Sequence, residues 1–179
     1  MRRLLTYVLC AVAIGVGGAV AYDLLKIGRH VPAARPLNEL VDEIRIEKSK
    51  RRLVLVRKGE IIREYRVALG GNPEGHKMRE GDRRTPEGRY QLDFLNARSA
   101  FHLGLRISYP NDQDRAAALG RGEPPGSDIM IHGLRNGLAA VGPLHRIVDW
   151  TNGCIGVTNN EIEEIWSYAR MGTPVEILP

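Results

Sequence analysis

Between Ile44 and Val67 the chain carries three short apolar runs separated by turn signals, a pattern that an antiparallel sheet accommodates and a helical fold does not. Ile44-Arg45-Ile46-Glu47 alternates apolar and charged residues, as a strand with one buried face does. Leu53-Val54-Leu55-Val56 is β-branched and fully apolar, and Ile61 to Val67 alternates again. Lys48 to Arg51 and Lys58-Gly59-Glu60 read as the turns between them. Three strands within about 25 residues leave room only for short connections, so they form a meander.

The remaining elements follow in the same style. Gly70-Gly71-Asn72-Pro73 ends the third strand, and the turn Thr85-Pro86-Glu87-Gly88 leads into a strand beginning at Arg89-Tyr90-Gln91-Leu92. Phe101 to Ile107 is a strand ending at Tyr109-Pro110. Asp112 to Gly122 is a brief helix, Ile129 to His132 a short buried strand, and Gly133 to Val148 is loop-rich. Ile162, Ile165, Trp166 and Ala169 recur at helical spacing. Glu161, Glu163 and Glu164 sit near the start of that segment, which predicts a helix over Asn160–Arg170. Gly172-Thr173-Pro174 stops it, and Val175-Glu176-Ile177 closes the chain as a strand. The fold class is mainly β, over residues 44–179, with one good helix and one weak one.

The first 25 residues are of another kind. Arg2-Arg3 precedes an uncharged apolar run from Leu4 to Val20, the outline of an export signal. Ala19-Val20-Ala21 suits cleavage, whereas a helix from Leu4 to Leu25 is long enough to stay as a membrane anchor. Both readings keep the N-terminus cytoplasmic and place the domain on the far side of the membrane. Residues 26–43 form a linker, with Gly28 to Pro36 irregular and Leu37 to Glu43 a short lead-in helix. Cys10 lies in the apolar run, so Cys154 has no partner in its own chain. An unpaired thiol outside the cytoplasm is better explained by chemistry than by packing. The net charge is +5. The basic stretch Arg45 to Lys58 alternates with apolar residues and reads as a solvated strand face, so no nucleic-acid partner is expected.

Cys154 stands in Asn152-Gly153-Cys154-Ile155, downstream of Ile131-His132-Gly133. The thiolate is the attacking form of cysteine and needs a base or a positive environment. His132, at a strand end, is the candidate base, and His145 competes for that role. Gly153 allows close approach of backbone to substrate, and the N–H groups of Gly153 and Cys154 are candidates to face an oxyanion. His30 in the linker and His76 in a charged loop read as solvated, and His102 on an apolar strand as a partly buried histidine. A zinc site from Cys154, His132 and His145 is the metal alternative, but no close-spaced ligand pair supports it.

Taken in order, Thr85-Pro-x-Gly88, Ile131-His132-Gly133, Thr151-Asn152-Gly153-Cys154-Ile155 and Gly172-Thr173-Pro174-Val175 resemble the L,D-transpeptidase (YkuD-type) catalytic domain over roughly Ile44 to Leu178. The stretch around Asp149-Trp150-Thr151 and Val157-Thr158-Asn159 resembles a Gram-negative envelope branch of it. The resemblance implies a β-sandwich-like fold and peptidoglycan stem peptides as substrates. It also implies Cys154 as acyl-enzyme nucleophile and His132 as proton acceptor and donor, with the Gly133 carbonyl orienting the imidazole. His102, Tyr109, Thr151 and Asn152 are the expected substrate contacts. The pattern departs from the family at two positions. Asn152 stands where the family often has a second histidine, and Gly156 where it has an arginine.

The function expected is a cofactor-free, monomeric L,D-transpeptidase of cell-wall biogenesis, holding no metal, that passes an acyl group from a stem peptide to an amine. A thiol hydrolase of the same fold (L,D-carboxypeptidase or amidase) is the near alternative. A peptidoglycan-binding domain without catalysis is the alternative of another class.

Overall fold

A computed structural model describes residues 31–179 of the protein. The signal or anchor segment over residues 1–25, with Cys10 in it, and His30 lie outside the described residues. Among the described residues no helix is long and apolar enough to cross a membrane.

The meander forms as the alternation predicts, with β1 (Glu43–Glu47), β2 (Arg52–Arg57) and β3 (Glu60–Arg66) pairing antiparallel in sequence order. All four central residues of β2 are buried, in line with their uninterrupted apolar character. Then come β4 (Gly88–Ser99), β5 (His102–Ile107), α1 (Asp112–Arg121) and β6 (Met130–His132). A 3₁₀ segment over Ala139–Ile147, kinked at Gly142, leads to β7 (Ile155–Gly156), α2 (Asn159–Tyr168) and β8 (Pro174–Leu178). The eight strands run in the order β3-β2-β1-β8-β4-β5-β6-β7.

Strand β4 joins the two halves of this sheet. Its first residues, Gly88 to Gln91, pair with β8, and the stretch from Leu92 to Ser99 pairs with β5. The far ends of the order also meet. Beyond β3, Ala68 and Gly156 exchange backbone hydrogen bonds of 2.9 and 2.8 Å, and Thr151 N–H donates to Leu69 O at 3.1 Å. Asp149 reinforces that seam, accepting from Leu69 N–H at 2.9 Å and from Arg51 Nε at 3.0 Å. Both halves contribute to one apolar cluster, in which Ile44, Leu53 and Leu69 join Leu105, Ile131 and Ile155.

Helix α2 covers part of that cluster with Ile162, Ile165, Trp166 and Tyr168. Its start is set by a capping box, in which Thr158 and Glu161 each satisfy the other's backbone N–H. It ends at Tyr168, two residues before the predicted Arg170, and Ala169 caps it in an extended conformation. The brief helix α1 begins with the same device, built from Asn111 and Asp114, and stops at left-handed Gly122.

The charged stretch between Arg45 and Lys58 is largely matched within the fold. Arg52 pairs with Glu47 and Glu64, and Arg45 with Glu43 and Glu176. Lys48 is an exception to the expected solvated turn, because it is buried. Its ammonium donates to Glu87, to Gly75 O and to Thr85 O, and so anchors the Gly75–Glu87 loop against β1. His76 corrects its expected solvation too. Its Nδ1 accepts from Glu87 N–H at 3.1 Å, and its Nε2 lies 3.2 Å from Asp114.

Ile131 is the test of this architecture, since it has no exposed surface and stands between Leu105 of β5 and Ile155 of β7. Truncation there leaves a cavity under β6, and Ile131→Ala should lose about 2–5 kcal/mol of stability. Urea denaturation measures it: the midpoint falls while the slope stays as in wild type.

Candidate active site

His132 ends β6, and the turn holding Cys154 leads into β7. The two strands pair in parallel, with Ile131 opposite Ile155 and His132 opposite Gly156. One step back along this register, Cys154 comes opposite Met130. Side chains two apart on a strand share a face, so His132 and Met130 project on one side while Ile131 enters the core. Cys154 and His132 thereby open on one cavity of about 540 Å³, which Met130, Trp150, Asn152 and Phe101 also line.

The Cys154 turn is held by its own side chains. Thr151 Oγ1 donates to Cys154 O at 2.7 Å and accepts from Gly153 N–H at 3.1 Å. Gly153 has φ +125°, and a Cβ there would lie 2.6 Å from Arg84 O, so only glycine fits. The Gly153 N–H, one of the two expected to face an oxyanion, is engaged with Thr151 in this turn. The Cys154 N–H remains as the backbone candidate. Thr151 lines the cavity, but its hydroxyl serves the turn. Next to this turn Thr85 Oγ1 accepts from Gly70 N–H at 3.1 Å, and a Gly70 Cβ would lie 3.0 Å from Gly153 Cα.

The tautomer of His132 follows from one contact. Nδ1 lies 2.7 Å from Gly133 O. A carbonyl only accepts, so the Nδ1 proton donates to it and Nε2 is left as the basic nitrogen. Gly133 is itself pinned: a Cβ would lie 2.8 Å from Asn159 Oδ1, and that same oxygen accepts from Leu134 N–H at 2.9 Å. The start of α2 thus holds the carbonyl that holds the imidazole.

Burial pushes the His132 imidazole below its ordinary 6.5, with the Gly133 carbonyl opposing. Burial pushes the Cys154 thiol above its ordinary 9.0, Met130 N–H and Lys77 opposing and Asp128 adding to the rise. Both shifts favour a neutral thiol beside a neutral imidazole at rest. The sulfur lies 3.6 Å from Asp128 O, to which the thiol donates. The Asp128 side chain pairs with Arg106 at 3.4 Å.

An aromatic wall flanks the imidazole. The Phe101 ring lies 4.6 Å from that of His132, and Trp150 is edge-on to His132 at 5.8 Å. His145 stands behind Trp150, where its Nδ1 accepts from the indole Nε1 at 3.3 Å, and burial lowers its pKa to about 4. It does not line the cavity and stands as a support behind the wall. The zinc alternative is not assembled either, since no group of three or more His, Cys, Asp or Glu suited to a metal occurs among the described residues.

Of the four expected substrate contacts, Thr151 and Asn152 line the cavity. His102 and Tyr109 do not. His102 Nε2 meets Glu163 of α2 at 2.7 Å, and Tyr109 donates to Pro125 O at 2.8 Å. Phe101, Asp128 and Met130 were missed in the sequence. Met130 and Asp128 lie two and four residues before His132 and Phe101 lies next to the start of β5, but no motif marks them.

Known proteins share the domain and its fold. Residues 42–177 match the L,D-transpeptidase catalytic domain family. YafK of Escherichia coli (strain K12), which is named for the same family, is 30% identical over 131 residues, 70% of this chain and 46% of YafK. Among solved structures, the helical cell shape determining protein Pgp2 of Campylobacter jejuni superposes with a TM-score of 0.56. The identity is 24%, over 88% of this chain and 54% of Pgp2. Bd1075 of Bdellovibrio bacteriovorus gives a TM-score of 0.56 at 25% identity, over 83% of this chain and 51% of that one. The chain spans about half the length of the curated relatives it matches. With the family matched from β1 to β8, the chain belongs to the L,D-transpeptidase catalytic domain family.

Proposed function

We propose that this protein is a peptidoglycan L,D-transpeptidase of the periplasmic side of the cell envelope, working as a monomer through a Cys154 thioester. The observation that carries the reading is the His132 Nδ1–Gly133 O bond, which leaves Nε2 basic beside a cavity onto which Cys154 opens. The donor is a stem peptide with an amide between an L-centre and a terminal D-residue. As Cys154 Sγ attacks that carbonyl carbon, its proton passes to His132 Nε2. The Cys154 N–H faces the oxygen that gains charge. The C–N bond then breaks, the D-residue leaves with the proton from Nε2, and a thioester remains. An acceptor amine attacks the thioester, gives its proton to Nε2 and releases Cys154.

Hydrolysis is the second reading, with water in place of the amine. Gly156 favours it, because the position where the family resemblance expects an arginine offers no cation to an acceptor. Incubation with a defined tetrapeptide muropeptide and an amine acceptor separates the two by product: a cross-linked dimer for transfer, a shortened stem for hydrolysis. A protein that binds the muropeptide and forms neither product contradicts both.

Two further outcomes follow from the site. Cys154→Ala should abolish turnover and shift stability by only about 1 kcal/mol. His132→Ala should lower kcat by roughly 10²–10⁴-fold, the usual contribution of a positioned base, and His145→Ala should lose far less. A larger loss at His145 would reverse the assignment of the base.

The pH profile tests the protonation states. His132 acts as the neutral base, and its pKa is depressed below 6.5, so the active form persists to lower pH than a free imidazole would allow. The acid limb of kcat/KM should have its midpoint below 6.5, and direct alkylation of the thiol should still be rising beyond pH 9, the ordinary thiol value. A midpoint above 6.5, or alkylation that plateaus near neutrality as an ion pair would give, contradicts the neutral resting pair.

A further inference from the structure

Lys77 retains only 3% of its surface, an environment lysine seldom occupies unpaired. Its Nζ donates to Asp82 Oδ1 at 2.8 Å and to Arg79 O at 3.0 Å. Asp82 in turn accepts from the backbone N–H groups of Met78, Arg79 and Arg84. Burial opposes ionisation of Asp82, but Lys77 and those three amides outweigh it and hold the carboxyl at about 2. The pair therefore ties the loop from Lys77 to Arg84 into one unit.

That unit touches both backbone segments beside the sulfur. Arg84 O lies 2.6 Å from where a Gly153 Cβ would stand, so the loop forms the wall behind the Cys154 turn. On the other side, a Gly126 Cβ would lie 3.3 Å from Glu80 Cα and 3.5 Å from Lys77 Cε. Glu80 N–H donates to Pro124 O at 2.8 Å. The chain from Pro124 continues through Gly126 to Asp128, whose carbonyl accepts the Cys154 thiol. The mechanism above makes no use of Lys77, and Gly156 leaves the nucleophile without the arginine that the family resemblance expects.

We propose that the buried Lys77–Asp82 pair is a positioning device for Cys154, holding both segments that flank the sulfur and placing a fixed ammonium charge against the Gly126 backbone that leads to the thiol's acceptor at Asp128. Lys77 is a positioning residue, acting through Gly153 and Asp128 and through its field. The other titratable groups near the thiol are His132, which shares its cavity and whose pKa burial lowers, and Asp128, which Arg106 partly offsets. Lys77 acts on the thiol against burial and against Asp128. The inference rests on Cys154 being the reacting group.

The experiment is the pH dependence of Cys154 alkylation by iodoacetamide in full-length protein, read by intact mass, with circular dichroism on each sample. Iodoacetamide needs no substrate recognition, so a protein that proves to be a hydrolase, or idle on muropeptides, still gives this readout. The double variant Lys77→Gln with Asp82→Asn removes both charges and keeps hydrogen-bonding groups. Its alkylation profile should move to higher pH, slowing the reaction at pH 8 roughly tenfold for each unit of thiol pKa gained. Lys77→Arg should restore the wild-type profile. Asp82→Asn alone leaves the ammonium without its counter-ion and should speed alkylation at pH 8. A role confined to loop stability predicts slowing or no change there. A wild-type profile in the folded double variant, or slower alkylation in Asp82→Asn, overturns the proposal.

Discussion

The parallel pairing of β6 with β7 is the contact on which the site depends. It aligns Ile131 with Ile155 and His132 with Gly156, and Val157 N–H donates to His132 O at 2.9 Å. Because side chains alternate along a strand, burial of Ile131 and Ile155 in the core forces Met130 and His132 outward onto the cavity. A slip of one residue in either strand would bury the imidazole in the core and expose an isoleucine. The same apolar contacts that stabilise the fold therefore set the register that brings His132 and Cys154 to one cavity.

Around that register, each functional atom is held by one level of structure further out. Thr151 shapes the Cys154 turn, Gly133 fixes the His132 tautomer, and Asn159 at the start of α2 fixes the Gly133–Leu134 backbone. Glycine is required where these layers come closest, at Gly133 and Gly153, because a Cβ would collide with neighbouring polar atoms. Burial then depresses the imidazole pKa and raises the thiol pKa, so both groups are held in their neutral forms.

Much of this was legible in the sequence, for physical reasons that differ from element to element. The β1–β3 meander followed from alternation and turn residues, and α2 from its apolar spacing and acidic start. Cys154 stood out because its thiol is unpaired, and His132 because a strand end precedes a glycine. What escaped the sequence depends on tertiary packing. The joining of the Ala68 segment to β7 involves one bridge and leaves no periodic signal. His102 and Tyr109, expected as substrate contacts, have their polar atoms engaged by Glu163 and Pro125 away from the cavity. His76 and Lys48 look solvated from their charged neighbours, yet their partners lie across the fold. Lys77 sits among charged residues, and nothing in its neighbourhood signals that it is buried.

The central claim is that β6–β7 pairing makes Cys154 an acylated nucleophile served by His132. A carbapenem tests it directly, because its strained amide can acylate a positioned thiol and leave a stable thioester. The measurement is the intact mass of wild-type protein and of His132→Ala after carbapenem exposure, with and without a chelator, followed by peptide mapping. A single adduct on Cys154 of the wild type that survives chelation, and forms far more slowly in His132→Ala, is the predicted result. An adduct on another residue, equal rates in the two proteins, or loss of the reaction on chelation would contradict the account.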